Sequence, residues 1–358
     1  MSTLLVPCAG RSTRFPNMRP KWLLTHPDGR LMVEKAIEGC GLDRFSHIAL
    51  VVAQPHDEQF EATLILRQAF NFLGARLSII VLPEFTSGQA ETVKQAIVAQ
   101  GITGPVLIKD SDNFIGWDHA NDQSNYVVVG DLARFPDTTN VTAKSYVSVD
   151  KNGIVQDIVE KRIISNTFCA GAYQVESAMA FVSAYIEMTE NSGLERETYV
   201  SHVLGWMMAR HNAVFRAYSA DQYEDWGTLQ EWRAKQKRFS TLFCDFDGVL
   251  VKNVGQYGSA RWENSMEPLE ENMLALRRAH ERGAEIVIVT ARKEIYHSQI
   301  MELLRTYGIE AHAIITGCRH SHRVMINDFA ATNPFPSCSA VSIPRNGDLK
   351  AYLNEIIN

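Results

Sequence analysis

Short apolar runs rich in β-branched and aromatic residues alternate along most of the chain with longer segments of helical periodicity. That alternation predicts an α/β architecture built on a largely parallel sheet. In the first part, strands are expected at residues 4–7, 48–53, 77–82, 106–109 and 126–130, with helices between them, notably over 57–73 and 89–100. From 141 to 175 the pattern changes to several strands in succession with a turn at Lys151-Asn152-Gly153, which predicts antiparallel pairing. Helices near 175–188 and 197–210 follow, and Trp206-Met207-Met208 reads as a core-facing part of the second.

A charged stretch at 229–238 (LQEWRAKQKR) is helical in composition and ends where a second alternation starts. Strands are expected there at 241–246, 285–290, 311–316, 323–326 and 340–343, with helices near 269–282, 295–307 and 347–356. The reading is therefore two domains, 1–236 and 237–358, which agrees with 358 residues at roughly 100–200 per domain.

Composition narrows the function classes. With 46% hydrophobic and 21% charged residues the chain can bury substantial cores, and 35 basic against 41 acidic residues leave a formal charge of −6. That balance argues against a general nucleic-acid binder, whose footprint is a basic field. The six cysteines carry no C-x-x-C spacing and several sit in apolar runs, as reduced, buried thiols do. Neither a signal-peptide pattern nor a run of roughly 18 apolar residues is found, so a cytoplasmic location without membrane contact is expected. A homo-oligomer is the default expectation for such a chain.

The first strand runs directly into Cys8-Ala9-Gly10-Arg11-Ser12-Thr13-Arg14-Phe15, followed by Arg19-Pro20-Lys21. A small-residue turn after a buried strand brings backbone N–H groups to a polyphosphate, while Arg11, Arg14 and Lys21 supply positive charge. Further on stand Thr86-Ser87-Gly88-Gln89-Ala90-Glu91-Thr92-Val93, Lys109-Asp110-Ser111-Asp112-Asn113, Glu160-Lys161 and Glu224-Asp225-Trp226-Gly227. Together, and in this order, these segments resemble the nucleotidyltransferases that make nucleotide-activated sugars and related phosphorylated alcohols, over about the first 235 residues. One departure is Ser12, where many members carry glycine.

The resemblance implies a Rossmann-like mixed-sheet domain, a nucleoside triphosphate and a phosphorylated sugar or polyol as substrates, and Mg²⁺. Asp112 and Asp225 would be the metal ligands, with Asp110 a lesser one. Ala9, Gly10, Arg11, Arg14, Lys21, Gln89 and Asp110 would line the nucleotide, with Lys21 on the triphosphate and Arg11 on the departing pyrophosphate. Lys161 would hold the acceptor phosphate. Gln89 can hydrogen-bond a nucleobase edge, and CTP is favoured over GTP or UTP.

The second domain opens with Leu242-Phe243-Cys244-Asp245-Phe246-Asp247-Gly248, an apolar strand ending in D-x-D-G. Two such aspartates suit Mg²⁺-assisted phosphoryl transfer, one as nucleophile and one as acid/base, with Gly248 letting the chain turn away. Thr290-Ala291-Arg292 and Asn327-Asp328 follow at later strand ends. This order resembles the haloacid dehalogenase-like phosphatase superfamily and implies a parallel-sheet domain with little or no cap. Asp245 would be the nucleophile, Asp247 the acid/base, Thr290 the phosphoryl holder, and Asp328 a further metal ligand beside the two. The family's lysine is replaced by Arg319 or Arg323, with Arg319 preferred on spacing. Tyr257, Arg261 and Trp262 are the residues of the short 250–267 segment that could contact a substrate. Cys318, His320 and His322 lack a fourth ligand and are not read as a zinc site.

The combined reading is a bifunctional enzyme of activated-sugar or surface-polysaccharide precursor synthesis, a nucleotidyltransferase with a phosphatase. Three other readings use the same residues: a phosphatase with a regulatory nucleotide-binding domain, a nucleotidyltransferase with a structural phosphatase-like tail, and a non-catalytic binding subunit.

Overall fold

Residues such as Leu4-Leu5-Val6 and Ile48 to Ala53 are apolar without a break, and strands of that kind bury both faces. In the computed structural model, which describes residues 2–118, 123–192, 197–254, 266–328 and 338–357, they form neighbouring interior strands of a ten-stranded mixed sheet. The chain divides into two units, Met1–Glu231 and Trp232–Asn358.

The larger unit contains β1 (Thr3–Pro7), α1 (Met32–Glu38), β2 (His47–Ala53), α2 (Gln54–Phe60), α3 (Ala62–Ala69), β3 (Leu77–Leu82), α4 (Gln89–Gln100), β4 (Val106–Lys109), β5 (Asn113–Trp117) and β6 (Tyr126–Asp131). It continues through β7 (Ser145–Val149), β8 (Val155–Glu160), β9 (Thr167–Val175), α5 (Ala178–Ser192), α6 (Val200–His211) and β10 (Arg216–Asp225). The division between units falls inside α7 (Leu229–Arg238).

The sheet order is β3-β2-β1-β4-β9-β6-β10-β5, with the β7–β8 hairpin joined through β9. Strands β1 to β4 pair in parallel, whereas β9 is antiparallel to β4, β6 and β7. Alternate residues feed opposite cores. Leu5, Val51 and Ile108 pack with α4, α5 and α6, while Leu4, Val6 and Leu50 pack with α1 and α3. The ends of β1, β4 and β10 therefore carry rigid, two-sided support, and they carry the site.

Three details differ from the sequence expectation. The helix expected over 57–73 breaks at Glu61, whose φ of 53° interrupts the α-helical path. One further strand, β5, arises from a segment too mixed to read as a strand. Ser12 has φ 52°, the left-handed region that a glycine occupies without strain, so the loop keeps the bend despite the substitution.

The smaller unit holds β11 (Thr241–Asp245), α8 (Glu270–Glu281), β12 (Glu285–Val289), α9 (His297–Thr306), β13 (Ala313–Ile315) and α10 (Leu349–Ile357). Its sheet is parallel, in the order β11-β12-β13. Strands were expected at 323–326 and 340–343, but neither segment is a strand. Val324, Met325 and Ile326 are 67%, 50% and 93% exposed, so these apolar side chains bury no face against the sheet. Tyr257, Arg261 and Trp262 lie outside the described residues, as does most of the segment in which little or no cap was expected. All six cysteines are free, four of them buried. Among the described residues no helix is long and apolar enough to cross a membrane.

Candidate active site

The chain leaves β1 at Pro7 and turns over the ends of the parallel strands, held by hydrogen bonds from Cys8 N to Val51 O (2.7 Å) and from Thr86 N to Ala9 O (3.4 Å). Phe15 N donates to Ser12 O, and Lys21 N to Ser12 Oγ at 3.3 Å, which folds the loop back on itself. Its basic residues face a cavity of about 520 Å³. Gly10, Arg11, Arg14, Lys21, Gln89, Asp110, Asp112 and Asp225 all line it. Ala9 lies buried behind the loop, and Arg11 rests on the Phe85 ring at 4.8 Å.

Asp112 follows β4 and Asp225 closes β10, more than a hundred residues later. Antiparallel pairing of β10 with β5 places Asp225 opposite Asn113, and Trp226 N donates to Asp112 O at 2.9 Å. Gly227 measures how closely the carboxylates converge. A Cβ on it would lie 3.1 Å from Asp225 Oδ1 and 3.2 Å from Asp112 Oδ2, so both acids face one small space that only a hydrogen leaves open. Lys21 Nζ donates to Asp112, and Lys144 Nζ to Asp225.

Among the described residues no group of three or more His, Cys, Asp or Glu side chains is placed to hold a metal. Mg²⁺ does not require one, because it commonly takes one or two carboxylates and completes its shell with water and substrate phosphates. The hard-oxygen pair converging at Gly227 fits that need.

The local electrostatics separate the acids. Burial pushes Asp110 up to about 6, and the negative charge of Asp112 adds to this against Lys109, Gln89 and Lys21. Burial would raise Asp112 too, but Lys21, Lys109 and Arg14 hold it below the ordinary carboxylate range. Lys109 is fully buried under this loop, donating to Asp110 O at 2.8 Å and Asn113 O at 3.0 Å, with its own pKa lowered by burial. Gln89 Nε2 donates to Asp110 Oδ1 and orients that carboxyl.

Lys161 is exposed rather than inside the cavity, with φ 53°, and its ammonium donates to Tyr199 OH while lying 4.2 Å from the ring centroid. Tyr199 and Glu197 form the adjoining cavity wall, and Glu160 is held there by Ser145 and Ser201. Tyr199, Glu197, Lys144 and Tyr223 were not singled out in the sequence. They belong to no contiguous motif: Lys144 directly precedes β7 and Tyr223 lies in β10, while Glu197 and Tyr199 stand on the chain just ahead of α6.

No protein-family model matches the chain. Nor does any curated protein. Similarity to solved structures is extensive. A nucleoside-diphosphate-sugar pyrophosphorylase from Vibrio cholerae RC9 superposes with TM-score 0.56 at 19% identity, covering 65% of this chain and 99% of that one. The larger unit has a nucleotidyltransferase fold. A UDP-glucose pyrophosphorylase complexed with UDP-glucose gives TM-score 0.51 at 16% identity, with 66% and 97% covered. The inositol-1-phosphate CTP transferase of T. maritima gives 0.50 at 14%, with 64% and 90% covered. The share of this chain covered matches the size of Met1–Glu231.

In the smaller unit, Asp245 ends β11 and Thr290 follows β12, so parallel pairing brings them to the same sheet end. Gly248 takes φ 91°, the turn expected of it. Thr290 Oγ1 donates to Asp247 Oδ2 at 3.3 Å. Arg292, fully buried, grips Asp247 with Nε at 3.0 and 3.1 Å and Nη2 at 2.7 Å. Arg323, not the preferred Arg319, meets Asp245, at 3.2 Å. Arg319 is exposed. The expectation for it rested on spacing along the sequence. Asp328 is likewise exposed, and among the described residues it does not join Asp245 and Asp247 in a metal-holding group.

Proposed function

We propose that the larger unit joins a nucleoside triphosphate to a phosphorylated sugar or polyol, releasing pyrophosphate. The observation that carries this reading is the convergence of Asp112 and Asp225 beside a loop bearing Arg11, Arg14 and Lys21. In the reaction an acceptor phosphate oxygen bonds to the α-phosphorus as the bond to the bridging oxygen breaks and pyrophosphate leaves. Two polyanions must be gathered and neutralised, which positioning and fixed charge supply. Mg²⁺ bound by Asp112 and Asp225 would offset charge developing on the α-phosphate. Arg11, Arg14 and Lys21 hold the triphosphate and the departing pyrophosphate, and Lys161 with Tyr199 flanks the acceptor side. CTP remains the favoured triphosphate, and against UTP the reason is Gln89: it commits its amide nitrogen to Asp110, leaving its oxygen to accept from an exocyclic amino group, which cytosine and guanine carry and uracil lacks.

For the smaller unit we propose phosphate removal from a pathway intermediate, with Asp245 as nucleophile, Asp247 as acid/base, Thr290 on the phosphoryl group and Arg323 beside Asp245. A structural, inactive tail is the second reading, favoured by the grip of Arg292 on Asp247.

Two assays address the two halves. Pyrophosphate release over a matrix of triphosphates and sugar phosphates is expected for the native chain. Asp112→Asn and Asp225→Asn should each lower it at least about 100-fold, a loss of about 2.7 kcal/mol in transition-state stabilisation. No turnover with any pair overturns the transferase reading. Phosphate release that survives Asp245→Asn removes that residue as nucleophile, and no release from any phosphoester supports the structural tail.

A further inference from the structure

Lys144 has no place in any motif, yet its ammonium is held against one of the two carboxylates of the site. It donates to Asp225 Oδ2 and, at 2.7 Å, to Tyr223 OH. The head is held between the rings of Tyr223 and Phe168, 4.9 and 5.2 Å from their centroids, and the side chain is only 7% exposed. Tyr223 OH in turn donates to Asp225 Oδ2 at 3.2 Å, which closes a three-membered polar cluster. The same lysine is fixed at its backbone, where Lys144 O accepts from Lys161 N at 3.0 Å.

Lys21, the cation paired with Asp112, differs in kind. It is 23% exposed and stands on the N-terminal loop, with Asp112 as its carboxylate partner. Lys144 is enclosed by rings and anchored to a hairpin. An ammonium on Asp225 Oδ2 draws on the same carboxylate charge as a divalent cation meeting Oδ1 in the space shared with Asp112, and the two cations repel one another across a few ångströms in a partly desolvated cavity.

We propose that Lys144 is a positioning residue that competes with the divalent cation for Asp225, so that metal alone binds weakly and metal accompanied by substrate phosphates binds well. This rests on the reading of Asp112 and Asp225 as metal ligands. Phosphate oxygens supply the negative charge that lets a metal on Asp225 and the ammonium of Lys144 stand side by side. Lys144 thereby favours entry of the metal together with its nucleotide over prior loading of the metal.

The test is titration of the full chain with MnCl₂ alone, with free Mn²⁺ read by electron paramagnetic resonance and no nucleotide present. Lys144→Met is expected to bind Mn²⁺ at least about fivefold more tightly than the native chain, since a fixed positive charge has been removed beside the site. Lys144→Gln serves the same purpose if the methionine variant does not fold. Lys161→Met, which removes an exposed cation from the same hairpin, should leave Mn²⁺ affinity within about twofold. Unchanged or weaker binding in both folded Lys144 variants overturns the proposal, as does equal tightening by Lys161→Met. Asp225→Asn distinguishes the underlying reading: if it weakens Mn²⁺ binding while Lys144→Met has no effect, only the competition fails. If Asp112→Asn and Asp225→Asn both leave Mn²⁺ binding unchanged, the metal-ligand reading falls and the competition with it.

Discussion

Asp110 and Asp112, two residues apart, titrate in opposite directions because their surroundings differ. Asp112 meets the Lys21 ammonium directly, whereas Asp110 is half-buried against Gln89 and feels the charge of Asp112. A carboxyl that keeps its proton up to about 6 when folded, against 3.8 ordinarily, favours the folded state most at low pH. That stability is present below about pH 4 and is lost as pH rises toward 6. Asp112, shifted downward, acts in the opposite sense: its contribution is present above its ordinary pKa and is lost only at lower pH. Asp110→Asn should therefore flatten the pH 4 to 6.5 limb of urea-unfolding stability by on the order of 2 kcal/mol. A limb of unchanged slope in that variant would remove Asp110 as its source.

At the scale of elements, the site depends on close approaches as much as on side-chain chemistry. The start of α4 lies against the chain ahead of α6, where Ala90 N donates to Thr198 O at 3.1 Å. Gly88 makes this possible, since a Cβ there would come within 2.5 Å of Thr198 O and 2.7 Å of Thr198 N, both backbone atoms. Its φ of −172° is extended backbone open to any residue, so space alone requires the glycine. Gly88→Ala should cost about 1–3 kcal/mol by overpacking and shift Gln89 relative to Asp110. Chemical denaturation reads the first effect, and a changed KM for the triphosphate in the pyrophosphate assay reads the second. The exact match of α4 to its expected range and the absence of the expected 323–326 strand have related causes. Residues 89–100 have both helical pattern and a core to pack on, while 323–326 have apolar residues and no buried face.

At the scale of the whole molecule, each unit has its own core: two clusters flank the large sheet and a third surrounds β11 and β12. Independent cores predict two unfolding transitions. Asp247→Ala leaves the Arg292 guanidinium buried without its carboxylate, and breaking such a pair costs about 3–5 kcal/mol. Scanning calorimetry of the full chain should show one transition lowered by this substitution and the other unmoved. A single transition shifting as a whole would show that the units unfold together.

The sequence by itself determined the alternation of strands and helices and the loop and acidic segments of the candidate sites. These are local properties, set by side-chain periodicity and by turn chemistry within a few residues. Tertiary structure decided which distant residues meet. The pairing of β5 with β10 brings Asp225 to Asp112, the β7–β8 hairpin delivers Lys144, and the loop after β13 sends Arg323 rather than Arg319 to Asp245. Such encounters depend on strand order and register, which join segments a hundred residues apart and leave no periodic trace in either.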